Sequence, residues 1–175
     1  MRSRAAMRQA LLDLLVAVPL ETITGAMITE RAGIGYATFF RHYADVRALL
    51  VDTVSALTDD LAERMMPALL AADSGGAAAT LVAAVDAQRA VFRALLSGAG
   101  DALHAELSRQ VMDRVALLPD LSPPWLPRRL AIRIAVVGTV ALLDWWLREE
   151  PQREPAEVAA LLDTLVIDRL AADDR

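Results

Sequence analysis

His42 and His104 are the only two histidines in this 175-residue chain, and so the only side chains whose unperturbed titration falls near neutral pH. His104 and Ser108 stand one helical turn apart with Glu106 between them, the residue types of a base, a nucleophile and an orienting carboxylate. At helical spacing Glu106 points from a different face, and acyl-transfer chemistry needs the three groups to converge. The sequence has no paired His-Glu metal motif, no glycine-rich phosphate loop and no carboxylate-histidine repeat of a di-iron bundle. It also lacks cysteine, which removes disulfides, thiolate zinc sites and thiol nucleophiles. The expectation is a protein that is not an enzyme, with no catalytic residue, no metal and no cofactor.

Binding chemistry is better represented. The stretch ITERAGIGYATFFRHYADVRALL, residues 28–50, reads as two short helices broken at Gly33. Two short helices joined by a glycine-containing turn form the arrangement in which the second helix enters the DNA major groove. A plain helical hairpin has the same pattern. With Ile28, Ala32, Ile34 and Phe39 turned inward, the second helix would present Tyr36, Ala37, Thr38, Arg41 and His42.

Charge limits where a polyanion could sit. Every one of the 18 basic residues is arginine, and the net charge is −5. Residues 1–47 hold 6 arginines against 4 acids, a net +2, whereas residues 48–175 hold 12 against 19, a net −7. Only the N-terminal quarter suits a nucleic acid. The 55% hydrophobic content is high for a small monomer and suggests apolar surface buried between subunits. The N-terminus carries arginines but runs into an amphipathic pattern with Asp13, unlike a signal peptide. The apolar segment 134–143 is about half a bilayer span. These features point to a cytoplasmic chain with no membrane partner.

The elements that must position these groups are all helical, since no segment alternates with period two. Helix one spans about 4–18, with Met7, Leu11, Leu14, Leu15 and Val18 on one stripe and Pro19 ending it. Thr24 caps a helix reaching Ala32, and Gly33 supplies a left-handed residue. Residues 36–43 form the third helix. Asp45 caps a long fourth one that ends before Pro67. Residues 72–80 read as loop, followed by helices at about 78–97, 101–118, 128–149 and 155–172, with a proline-rich connector between 118 and 128. In the helix from Arg128, the small-residue face Ala131, Ala135, Gly138, Leu142 and Trp145 adjoins a second apolar stripe. The helix is therefore buried on two sides, either at a subunit crossing or at the centre of one domain.

Residues 4–50 resemble the DNA-binding domain of the TetR (tetracycline repressor) family of bacterial transcriptional regulators. The resemblance rests on Ile23-Thr24, Ala32-Gly33-Ile34, Thr38-Phe39-Phe40, Tyr43 and Leu49-Leu50, and GTVALLDWWLREE followed by EPAEVAALLDTLV resembles the family's last two helices. It implies an all-α fold: a helix-turn-helix domain at 1–47 and a helical ligand-binding and dimerisation domain at 48–175. It implies that Thr24, Gly35, Tyr36, Ala37 and Thr38 lie at the groove, that Arg41, His42 and Arg47 lie near phosphates, and that Arg2, Arg4 and Arg8 form an N-terminal arm. It places a homodimer interface on Ala131, Ala135, Gly138, Leu142, Trp145, Leu161 and Leu165. It puts a small-molecule effector among Met65, Met66, Phe92, Trp125 and Trp146, with Arg89, Arg93 or His104 as polar anchors.

The partner implied is a palindromic double-stranded DNA operator, bound by a repressor that its effector releases. Two residues depart from the family pattern, which usually has tyrosine at Phe40 and often lysine at Val46, both gripping phosphate. The alternative reading is a helical dimer whose degraded DNA surface binds a protein or a ligand.

Overall fold

In the computed structural model, which describes residues 2–97, 101–118, 120 and 122–171, the chain is built from helices, with no strand among the described residues. Helix α1 (Arg2–Ala17) buries Met7, Leu11, Leu12 and Leu15. After one 3-10 turn, α2 (Gly25–Ala32) begins where the Thr24 hydroxyl accepts the Met27 N–H at 3.3 Å. It ends at Gly33, whose φ of 65° is left-handed. A Cβ at Gly33 would meet nothing within 4 Å, so a substitution there probes backbone conformation alone. Gly33→Ala is expected to cost about 1–2 kcal/mol, read as a lower urea midpoint, and Gly33→Asn clearly less, because asparagine tolerates the left-handed region. Equal costs for the two would refute that reading.

Helix α3 (Tyr36–His42) sends Phe39 inward, and α4 (Val46–Leu70) is capped by Asp45, whose carboxylate accepts the Ala48 N–H at 2.7 Å. The expected stop before Pro67 is corrected: α4 runs through it. One bond to the preceding turn is forgone close to the helix end, and Leu69 and Leu70 are carried onto the wall of a cavity. The expected loop at 72–80 is also shorter. Asp73 accepts the Gly76 N–H at 2.8 Å and starts α5 (Ser74–Ala87) at once. The single helix expected at 78–97 is broken at Gln88 into α5 and α6 (Arg89–Ser97).

The remaining elements are α7 (Asp101–Val115), α8 (Arg128–Arg148) and α9 (Pro155–Leu162), with Pro155 in the first turn. A wide π-type turn, Asp163–Ile167, then leads into α10 (Asp168–Ala171). By length and composition α8 is apolar enough to cross a bilayer, more so than segment 134–143 suggested, yet Ala131, Val136, Leu142, Leu143, Trp146 and Leu147 on it are buried in the protein.

Two apolar clusters hold the fold. One joins Met7, Leu11, Ile28, Phe39, Tyr43, Leu49 and Leu50 across α1–α4 and reaches Leu95 of α6 and Val111 of α7. The other joins Val82 and Val85 of α5 to Trp146 and Leu147 of α8 and to Val158 and Leu162 of α9. Helix α4 serves both, with Leu49, Leu50 and Val54 in the first and Leu61 and Met65 against the second.

Candidate DNA interface and ligand cavity

The second helix of the turn motif presents the side chains expected of it. Gly35, Tyr36, Ala37, Arg41 and His42 are exposed and Thr38 is half-buried, while Phe39 beneath them is 1% exposed. Arg41 donates to the Thr38 hydroxyl at 2.9 Å. Thr24 is exposed beside them, its hydroxyl occupied as the α2 cap, and Arg47 is exposed at the start of α4. Phe40 is half exposed and packs edge-on against Tyr36 at 5.0 Å between centroids, giving the face an aromatic pair. Val46 has a use of its own, since it packs partly buried against the N-terminal core cluster.

The proposed arm differs from expectation. The side chain of Arg2 lies outside the described residues. Arg4 and Arg8 both approach Asp52 of α4, each at 3.6 Å, and Arg4 stacks over the Tyr43 ring at 5.5 Å. Tyr43 in turn donates its hydroxyl to Asp52 at 2.6 Å. Burial, and then the bond to Asp52, hold the Tyr43 phenol above its ordinary pKa. One carboxylate thus fastens α1, the end of α3 and α4 together. Sequence reasoning missed Asp52; the signal available was a single acid among the apolar residues 48–51 and 54.

Below this junction lies a cavity of about 660 Å³. Its walls come from α4 (Val54, Leu57, Leu61, Met65), α6 (Phe92, Leu95), α7 (Ser108, Val111, Val115) and α8 (Arg128 through Leu143). Of the residues proposed to contact an effector, Met65, Met66 and Phe92 line it. Arg89, Arg93, Trp125 and Trp146 do not, and the physical reasons differ. The break at Gln88 turns Arg89 onto the Trp146 ring, 4.3 Å from its centroid, and onto the Pro151 carbonyl at 2.7 Å. Trp146 is wholly buried in the C-terminal cluster, with its Nε1 donating to the Arg153 carbonyl at 3.1 Å. Arg93 and Trp125 are exposed on the outside. The side chains of His104 and Glu106 lie outside the described residues. Ser108 lines the cavity, and His42 is exposed on α3. No cluster of metal-ligating side chains occurs among the described residues.

The small-residue face of α8 is used inside the protomer. Ala131 and Ala135 line the cavity, Leu142 is buried in the C-terminal cluster, and a Cβ on Gly138 would stand 3.1 Å from Val166 in the wide turn. Trp145, half-buried, lies under the Arg153 guanidinium at 5.3 Å, and Leu161 packs against the same cluster. Leu165 is exposed. The outward apolar stripe of α8 is Leu130, Ile134 and Val137, which continues to Ala141.

No protein-family model and no curated protein matches the chain. Solved structures do. The fatty acid degradation regulator FadR of Bacillus halodurans superposes with a TM-score of 0.72 at 12% identity, covering 93% of this chain and 97% of that one. FadR of Bacillus subtilis, solved with stearoyl-CoA, gives 0.69 at 11% identity over 93% and 97%. Thermus thermophilus FadR, a TetR-family repressor solved with lauroyl-CoA, gives 0.64 at 14% identity over 98% and 97%.

Proposed function

We propose, from the TetR-regulator fold that this chain has, that it is a dimeric, ligand-responsive transcriptional regulator of the bacterial cytoplasm. It binds a palindromic operator through paired α3 helices and is released, as a repressor, by an apolar effector in the cavity. The observation that carries this reading is the double duty of α4. Its first turns hold α1 and α3 through Leu49, Leu50 and Asp52, and its later turns line the cavity from Val54 to Leu70. A ligand that binds better to one position of α4 must shift the recognition helix with it. In a dimer the two recognition helices must sit about one DNA turn apart, roughly 34–36 Å, so a small shift in each prevents simultaneous docking.

The dimer contact is assigned to Leu130, Ile134, Val137 and Ala141 of α8 together with Leu165, because the four residues of α8 form an exposed apolar stripe along one long helix and Leu165 is exposed in the turn after α9. Selection of bound sequences from a random DNA pool at fixed salt tests the whole reading. A palindrome is expected. Failure to enrich any sequence would favour the second reading, a ligand- or protein-binding dimer, which the exposed Tyr36–Phe40 pair on the groove face supports.

With an operator in hand, Phe40→Tyr is expected to tighten binding by about tenfold or more, since a hydrogen bond to a charged group contributes about 1.5 kcal/mol or more in each half-site. The exposed ring leaves room for the added hydroxyl. Val46→Lys should steepen the slope of log affinity against log salt by about 0.9 for each phosphate gained. Fluorescence anisotropy across a salt series reads both, and an unchanged affinity and slope would show that neither residue faces phosphate.

A further inference from the structure

The first turn of α3 limits which bases the helix can read. A helix turns about 100° per residue, so with Phe39 facing the core the residues farthest from it are Ala37 and Arg41. Tyr36 and Phe40 flank that crest on one side and Thr38 on the other. Ala37 is exposed and carries a single methyl, which lets the helix backbone come close to whatever the face meets.

The groups around Ala37 are apolar or already engaged. Tyr36 is 56% exposed, yet its ring is braced from two sides. Phe40 meets it edge-on at 5.0 Å, and a Cβ added to Gly25 at the start of α2 would stand 3.8 Å from its Cε2. The ring is thus a fixed apolar surface beside the Ala37 methyl. The Thr38 hydroxyl accepts from Arg41 Nη2 at 2.9 Å, a bond made within α3 itself.

Helix α3 contains no asparagine, glutamine, aspartate or glutamate. The bidentate amide that reads adenine and the carboxylate that reads cytosine are therefore missing from it. The alkyl group that a base presents in the major groove is the thymine 5-methyl. A methyl and a braced ring in the first turn, where a recognition helix touches base edges, are complementary to that group.

We propose that α3 selects its operator through thymine methyl groups, one against Ala37 and one against the Tyr36 ring in each half-site. This rests on the reading of α3 as a recognition helix, and adds which base it selects and with which atoms. The Tyr36–Phe40 pair then belongs to the DNA-reading surface, with Phe40 a positioning residue that acts on the thymine by bracing Tyr36.

The test starts from the duplex that the full chain enriches from a random pool. Each thymine of the half-site is replaced by deoxyuridine, symmetrically in both halves, which removes the methyl and keeps the base pair and its hydrogen-bonding edge. One buried methyl is worth up to about fourfold, so at two thymine positions the replacement is expected to weaken binding about tenfold over both halves, read by fluorescence anisotropy. With Ala37→Gly the penalty at one of these positions should largely vanish while the other stays. The backbone cost of glycine falls equally on both duplexes and cancels in their ratio, so a merely structural role for Ala37 would not move it. Tyr36→Ala should remove the second penalty, and Tyr36→Phe should keep it.

A half-site without thymine, deoxyuridine penalties below about twofold, or penalties that Ala37→Gly and Tyr36→Ala leave unchanged overturn the proposal, while the enriched palindrome still upholds the operator reading. Loss of the second penalty in Tyr36→Phe would move that contact to the hydroxyl and overturn the proposal likewise. If the pool yields no sequence, the proposal and the operator reading fall together.

Discussion

Trp146→Ala is expected to bring the C-terminal half to the edge of unfolding. The indole has no exposed surface and sits in the cluster of α5, α8 and α9. Its removal leaves a cavity among Val82, Val85, Val158 and Leu162, and truncations of this kind cost about 3–5 kcal/mol. Two further contacts go with it. The Arg153 carbonyl loses its 3.1 Å donor, and the Arg89 guanidinium loses the ring 4.3 Å beneath it while remaining tied to Pro151 and Asp86. Domains of this size have about 5–15 kcal/mol in total, so the melting temperature should fall by about 10 °C or more. Trp146→Phe keeps a ring and loses only the N–H bond and part of the volume, so its loss should be well under half as large. Calorimetry on both variants checks the ranking; a shift of under 3 °C for the alanine variant would mean that this cluster does not hold α8 to α9.

On the proposed dimer and operator, a double substitution on the outward stripe of α8, Ile134→Glu with Val137→Glu, is expected to abolish DNA binding at concentrations that saturate the native protein. Neither residue approaches α3, and both are about half exposed, so each protomer should keep its fold and melting temperature. Two carboxylates placed in an apolar contact, facing their own symmetry mates, have no partner and strongly disfavour association. A single helix-turn-helix then binds one half-site without the advantage of linkage, a loss of about 10² to 10⁴ in affinity. Light scattering gives the mass and anisotropy gives the affinity. A variant that stays dimeric would remove the α8 stripe from the proposed interface, and a monomer that binds as well as the native protein would remove dimerisation from the mechanism.

The parts of the fold that could be read from sequence are those fixed by local chemistry. Thr24, Gly33 and Asp45 bound α2 and α4 through bonds or a backbone conformation that concern only a few neighbouring residues, and each acts where expected. The parts that could not be read depend on distant chain. Both stripes of α8 are apolar at helical spacing. What turns Gly138 inward is Val166, delivered by a wide turn that no periodicity announces. Arg89 suits a pocket anchor if residues 78–97 are one helix, and the break at Gln88 sends it to Trp146 instead. Arg4 looks like a free arm until Asp52, from another helix, is beside it. In the cavity, the apolar residues Met65, Met66 and Phe92 were recognisable, but the Arg128–Asp120–Ser122 group was not, because a proline-rich connector gives no register by which to place it.

The carboxylate of Asp52 also bears on how proteins of this fold could exchange parts. A chimera joined after residue 47 would transplant Tyr43, Arg4 and Arg8 without the acid that gathers them, leaving a buried phenol with no acceptor and two arginines unanchored. A junction placed after Val54 would carry the whole fastening with the head. The transferable unit of this protein thus ends not where α3 does but two turns into α4, so that under the proposed function specificity and responsiveness would be inherited together across that seam.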